Sequence, residues 1–95
     1  MMNPTICAAI RERKLLRLTY DGVPRLIEPH VHGASKEGND LLRAWQREPS
    51  AFDDEWKLFR LDKALALATT DIQFEGPRPK YNPDDPAMKQ IYCRL

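Results

Sequence analysis

The chain has 95 residues, of which 42% are hydrophobic and 31% are charged, a composition typical of one globular domain and not of a disordered chain. Its net charge of +1 excludes a strongly basic nucleic-acid coat, although residues 1–47 carry 8 basic and 5 acidic side chains and residues 48–95 carry 7 and 9. No apolar run approaches the roughly 20 residues of a membrane span, and the N-terminus lacks the pattern of a secretory signal. We therefore expect a cytoplasmic protein with a single domain over residues 1–95 and no membrane partner.

A short helix is predicted over about residues 4–13. Asn3 can cap its first turn, and Pro4 suits the first helical position because the missing amide would have no partner there. Ile6 and Ile10 follow at helical spacing and define an apolar face.

Five short strands are predicted after this helix, over about residues 15–75. They are residues 15–20, 25–32, 41–47, 56–61 and about 65–74. Asp21-Gly22 is a strong hairpin signal between the first two, and Pro29 is a plausible place for a bulge in the second. Short strands at this spacing indicate a mainly β fold, either a small antiparallel barrel or a strongly bent sheet.

The C-terminal part is predicted to be a proline-rich linker over residues 76–83 and a helix over about residues 84–95. Asp85 and Pro86 suit the start of that helix. Its apolar stripe follows i, i+3, i+4 and i+7 spacing and consists of Met88, Ile91, Tyr92 and Leu95. Such a stripe needs a surface to lie on, either an open end of the sheet or a second copy of the chain.

The two cysteines, Cys7 and Cys93, lie near opposite ends of the chain, and each falls in a predicted helix. Their spacing fits no zinc motif. In a reducing compartment both should be thiols that pack as small apolar residues.

A catalytic centre is not expected. The chain has no phosphate-binding glycine loop, and its serines, Ser35 and Ser50, fall in predicted loops without the context of a nucleophile elbow. We predict a protein that is not an enzyme and has no cofactor.

A metal site is an alternative centred on His30 and His32, which alternate along one strand and should therefore face the same way. Glu28 is the nearby candidate for a third ligand. The competing interpretation, which we favour, is a polar sheet face on which the two rings meet solvent or each other.

Cationic side chains are also interleaved with apolar and aromatic residues along the predicted strands. They are Arg17, Arg25, Arg43, Lys57 and Arg60, with Tyr20, His30 and Trp45 nearby in sequence. Guanidinium groups beside aromatic planes suit phosphate and base recognition. Scattered surface charges explain the pattern equally well, so the residues alone leave both interpretations open.

The order of these residues resembles the WYL domain, a family named for a Trp-Tyr-Leu tripeptide. The matching motifs are Y-D-G-x-x-R-x-x-E-P-H at residues 20–30, the strand DLLRAWQ at 40–46 and W-K-x-F-R-L-D-K at 56–63. The resemblance spans roughly residues 6–75. It implies a small five-stranded barrel of the SH3/Sm type, here flanked by an N-terminal and a C-terminal helix.

Two departures limit the match. The tripeptide aligns with Asp40-Leu41-Leu42, so only its leucine is shared, and Trp45 comes later in that strand. We also expect no winged-helix domain ahead of the barrel. The chain would then correspond to the ligand-sensing part of the family's transcription factors, acting alone or with a partner.

The resemblance implies a non-enzymatic sensing or regulatory module that binds a negatively charged ligand, a nucleotide or a short single-stranded nucleic acid, in a basic pocket. Carried over by position, the ligand-binding residues are Tyr20, Arg25, His30 and Arg60, followed by Arg43 and Lys57. Glu28 is expected to orient an arginine, and Phe59 to lie in the core. The alternative function is protein–protein interaction or homodimerisation through the C-terminal helix.

Overall fold

A computed structural model describes residues 1–50 and 55–95, and residues 51–54 of the predicted acidic loop lie outside the described residues. In chain order the elements are α1 (Pro4–Glu12), β1 (Lys14–Tyr20), β2 (Val23–Ala34), β3 (Asp40–Glu48), β4 (Trp56–Arg60), a 3-10 turn (Leu61–Lys63), β5 (Leu65–Gln73) and β6 (Gln90–Arg94). The strands form one antiparallel sheet in the order β4-β3-β2-β1-β5, with β6 paired to β2. The fold is therefore mainly β, and the six-stranded sheet is not closed. Within this described part of the chain, no helix is long and apolar enough to cross a membrane.

The first helix begins and ends as its sequence predicts. The Asn3 side chain accepts a hydrogen bond from the Ile6 amide at 3.1 Å, and Pro4 occupies the first helical position. Arg13 then adopts a left-handed conformation, which stops the helix one residue before β1. Ile6 and Ile10 are buried against the sheet.

The hairpin between β1 and β2 is confirmed. Asp21 and Gly22 both have positive φ, 52° and 72°, as a two-residue turn between twisted strands requires. The turn places Tyr20 opposite Val23 and sets the register down to Leu16 opposite Ile27.

Strand β2 is the longest strand and lies at the centre of the sheet. One edge pairs with β3, and the other pairs first with β1 and then with β6. A bulge lies between Pro29 and Val31, in the place that the sequence suggests. Because a bulge adds one residue to one strand, it changes the alternation of side chains beyond it.

Each face of the sheet is covered by a different part of the chain. Helix α1 covers one face over the core that includes Leu16, Ile27, Leu42 and Phe59. The opposite face is covered by residues 74–89, here called the covering segment, which contribute Phe74 and Met88 to two smaller apolar clusters. The predicted linker is thus part of the packed structure.

The predicted C-terminal helix is wrong, because residues 90–94 form strand β6 on β2. The amide of Lys89 donates to the carbonyl of Ala34, and the amide of Leu95 donates to the carbonyl of His30, both at 2.8 Å. Gly33 makes this approach possible, since a Cβ there would collide with the Gln90 carbonyl oxygen. The pairing of β1 with β2 ends at Ile27, so the backbone groups farther along this edge of β2 need other partners, and β6 supplies them.

The expectation of two free thiols is also wrong. Cys7 of α1 and Cys93 of β6 form a disulfide, with a Cα–Cα distance of 5.8 Å. The two residues are 86 positions apart, and the fold brings them together because α1 packs beside β6. The disulfide does not fit the reducing compartment that the sequence led us to expect.

Candidate functional site

The site begins with a carboxylate in the interior of the sheet. Glu28 is fully buried on β2 and accepts hydrogen bonds from two arginines. Arg78 of the covering segment donates from Nε and Nη2 at 2.9 and 2.7 Å, and Arg47 of β3 donates from Nε and Nη2 at 3.2 and 2.9 Å. Burial by itself raises the pKa of Glu28, but the hydrogen bonds from Arg78 and Arg47 outweigh it and hold the pKa below 4.5. Glu28 does orient arginines, as the sequence suggests.

The two arginines line a cleft of about 730 Å³, here called the Arg47–Arg78 cleft. Its other walls include Glu28, Gln73, Glu75 and Pro79. The Arg47 and Arg78 side chains are 37% and 38% exposed, so each guanidinium has one side on the buried carboxylate and another open to solvent. This volume lies within the range of ordinary small-molecule sites.

A second cleft adjoins the first on the same face of the sheet. It has a volume of about 180 Å³, and we call it the Trp56 cleft. Its walls are formed by Arg43, Trp56, Lys80, Tyr81, Asn82, Asp85 and Pro86. A continuous series of contacts connects the two clefts: the Arg78 guanidinium lies 5.1 Å from the Trp45 ring, and the Trp45 ring lies 5.5 Å from the Trp56 ring.

Arg43 is held in the wall of the Trp56 cleft by Asp85. Its Nε donates to the buried Asp85 carboxylate at 2.7 Å. Burial by itself raises the pKa of Asp85, and the hydrogen bond from Arg43 outweighs it, so the pKa lies below its ordinary value. The Arg43 charge is therefore largely balanced within the protein.

His30 lies in the interior beneath the covering segment and is fully buried. Its Nδ1 is 2.8 Å from the Glu28 carbonyl oxygen, and its Nε2 accepts the Arg78 amide at 3.2 Å, so the ring is neutral with the proton on Nδ1. Burial lowers its pKa below 6.5, against the raising effect of the hydrogen bond to Glu28. The surrounding rings are Trp56, Phe74 and Tyr81, with centroids 4.7, 5.6 and 5.2 Å away.

His32 occupies a different environment, so the expectation that the two rings face the same way is wrong. It contacts Tyr92, accepts the Asn3 amide on Nε2 at 3.0 Å and places Nδ1 2.9 Å from the Leu41 carbonyl oxygen. The bulge after Pro29 explains the separation, because it moves the two rings to different sides of the sheet. Among the residues that the structure describes, no three histidine, cysteine or acidic side chains are placed to share a metal ion.

Three of the residues carried over from the resemblance lie together at the face of the sheet that α1 covers. The Arg25 guanidinium lies 5.7 Å from the Tyr20 ring and 5.8 Å from the Phe59 ring, and it donates to Gln46 at 2.9 Å and to the Tyr20 carbonyl. The Tyr20 hydroxyl accepts the Arg60 amide at 3.1 Å. Phe59 is buried in the core, as predicted.

The six residues carried over from the resemblance therefore do not share one site. Tyr20, Arg25 and Arg60 form one group; His30 and Arg43 lie at the opposite face; Lys57 is half-buried on β4, opposite Ala44. Alternation along β2 places Glu28 and His30 on one side and Arg25 on the other, and a salt bridge to Asp85 fixes Arg43 on the side of His30.

Sequence reasoning missed Arg47 and Arg78 as site residues. The available signal was Glu28 itself, since a carboxylate inside a central strand needs cationic partners. The sequence does not say which of its 15 basic residues would supply them.

Comparison of the chain with family models, curated proteins and solved structures gives no match.

Proposed function

We propose that this protein is a non-catalytic module that binds a small anionic ligand, a nucleotide or the end of a short single strand, in the Arg47–Arg78 cleft. The observation that carries the proposal is the pair of half-exposed guanidinium groups anchored on a fully buried carboxylate at the wall of a cleft of about 730 Å³.

Glu28 makes this pair suitable for binding. It accepts from Nε and Nη2 of both arginines, which leaves Nη1 of each as a donor toward a ligand. Two guanidiniums and one carboxylate carry a net charge of +1. Because the carboxylate already fixes both side chains, little rotamer freedom is lost when an anion binds.

Glu75 limits the kind of anion. It is an exposed acid that also lines the cleft, so it opposes a ligand with many negative charges. Its carboxylate can accept hydrogen bonds from hydroxyl or amino groups. A ligand with one phosphate and neighbouring hydroxyls fits this combination better than a long polyanion.

The resemblance to a WYL domain supports the same class of function, since that family senses negatively charged ligands. In this proposal the chain retains the role of an SH3/Sm-like sensor, and the anion site lies at the covering segment. A regulatory partner would then bind the protein according to whether the cleft holds its ligand.

Isothermal titration with adenosine monophosphate and with inorganic phosphate tests the proposal. Arg47→Ala should weaken binding by about 10- to 100-fold, because one charge-assisted hydrogen bond contributes roughly 1.5–3 kcal/mol. Arg47 is preferable to Arg78, because Arg78 also links the covering segment to Glu28. Affinity should fall with added salt.

The matched control is the double variant Arg25→Ala, Arg60→Ala, which removes two cations from the other face. It should bind like the parent. Equal binding by Arg47→Ala and the parent would refute the cleft assignment, and loss confined to the double variant would place the ligand on the Tyr20 side instead.

A further inference from the structure

The Trp56 cleft is not part of the proposed anion site, yet it adjoins that site. We infer that it holds a planar ring of the same ligand, so that the ligand is a small phosphate ester carrying one heteroaromatic ring. This inference rests on the proposed function and adds a second subsite to it.

The position of the two clefts supports one ligand spanning both. Pro79 lines the Arg47–Arg78 cleft, and Lys80, the next residue, lines the Trp56 cleft. Their Cα atoms are therefore only about 3.8 Å apart. The Arg78 guanidinium lies against the Trp45 ring, and the Trp45 ring lies against the Trp56 ring, so side chains in contact lead from one cleft to the other.

The volume of the Trp56 cleft suits a single ring. At about 180 Å³ the cleft is smaller than the sites of roughly 300–1,000 Å³ that hold a whole drug-sized ligand. A single heterocycle, or a compact fused pair of rings, is a correspondingly smaller group. The remainder of such a ligand would have to lie outside, toward the anion site.

The walls are aromatic and held in place. The Tyr81 hydroxyl donates to the Leu95 carbonyl at 2.8 Å, and the Trp56 indole donates to the Pro79 carbonyl at 2.9 Å. Pro86 adds a further apolar wall. Rings that are already fixed offer a stacking surface at low entropic cost, and base–aromatic stacking tolerates many ring types.

Polar groups at the rim favour a ring with acceptor atoms. Asn82 uses its side-chain oxygen to accept the Asp84 amide at 2.9 Å, so its amide nitrogen remains a donor. The exposed ammonium of Lys80 is a second donor. Ring nitrogens and carbonyl oxygens are complementary to both, which favours a heterocycle over a plain phenyl ring.

The test compares adenosine monophosphate, ribose 5-phosphate and phenyl phosphate in titrations with the parent, Tyr81→Leu and Tyr81→Phe. The parent should bind adenosine monophosphate at least about 10-fold more tightly than ribose 5-phosphate. Tyr81→Leu should abolish that preference and leave the affinity for ribose 5-phosphate unchanged. Tyr81→Phe retains the ring and should retain the preference. Thermal unfolding confirms that each variant is folded.

The outcomes separate this inference from the proposed function. Equal binding of adenosine monophosphate and ribose 5-phosphate, both weakened by Arg47→Ala, would overturn the ring subsite and leave the anion site standing. A preference that survives in Tyr81→Leu would also overturn it, as would tighter binding of phenyl phosphate than of adenosine monophosphate. If no phosphate compound binds, the proposed function fails first.

Discussion

The disulfide between Cys7 and Cys93 should be the largest single covalent contribution to the stability of this protein. It connects α1 to β6 across 86 positions, so the unfolded chain is closed into one large loop. By the chain-entropy argument, a loop of that length stabilises the folded state by roughly 4–5 kcal/mol, and measured disulfides of small domains usually give about 2–4 kcal/mol. We expect the double variant Cys7→Ser, Cys93→Ser to lose about 3 kcal/mol.

The measurement is guanidinium denaturation followed by circular dichroism, with and without a reducing agent. In a thermal scan of the same samples, a loss of about 3 kcal/mol should lower the melting temperature by at least roughly 10 °C for a domain of this size. The reduced parent should unfold like the double variant, and the reducing agent should leave the double variant unchanged. If the dependence of the free energy of unfolding on denaturant concentration becomes steeper on reduction, the reduced unfolded state is more expanded.

Two results would refute this reasoning. One is the detection of two reactive thiols in the denatured, unreduced parent, which would mean that Cys7 and Cys93 are not joined. The other is a double variant whose free energy of unfolding lies within about 1 kcal/mol of the oxidised parent, since loop closure would then contribute little.

Three further predictions concern β2. Burial lowers the pKa of His30 and His32 below 6.5, so their neutral rings stabilise the fold above about pH 6.5, and that contribution is lost as the pH falls toward the lowered values. The urea midpoint should therefore decrease from about pH 8 to about pH 5.5, and it should decrease less steeply in His30→Gln. Identical midpoints at the two pH values would contradict the neutral-ring assignment. Glu28→Gln should lower the free energy of unfolding in urea by roughly 2–4 kcal/mol, which is less than the loss from breaking a fully buried ion pair, because both arginines are partly exposed. A loss under about 1 kcal/mol would mean that the carboxylate does not anchor the arginines. Gly33→Ala should cost roughly 1–3 kcal/mol and speed hydrogen exchange in β6, because the added Cβ meets the Gln90 carbonyl; unchanged protection of the β6 amides would disprove that contact.

Elements stabilised by neighbouring residues could be predicted well. The Asn3 cap and Pro4 define the start of α1, and Asp21-Gly22 defines the first hairpin, because capping and turn formation depend on residues a few positions apart. The resemblance also placed Phe59 in the core, where it lies. The bulge near Pro29 also belongs to this group.

The C-terminal region shows where such reasoning stops. The spacing of Met88 and Ile91 fits a helix, yet β6 forms because the second half of β2 has an unpaired edge and Gly33 allows close approach. A free edge on a strand about 60 positions earlier is not a local property. The partner, and not the periodicity, decides between helix and strand.

The candidate site depends in the same way on distant contacts. Local patterns show that a carboxylate, two histidines and several arginines lie on short strands, and that a central strand carrying them needs partners. The pairing of Glu28 with Arg47 and Arg78, the backbone amide that His30 accepts and the joining of the Cys7 and Cys93 sulfurs appear only in the folded chain. Local chemistry sets what each side chain requires, whereas the register of the strands and the path of the covering segment set which group lies within reach to satisfy it.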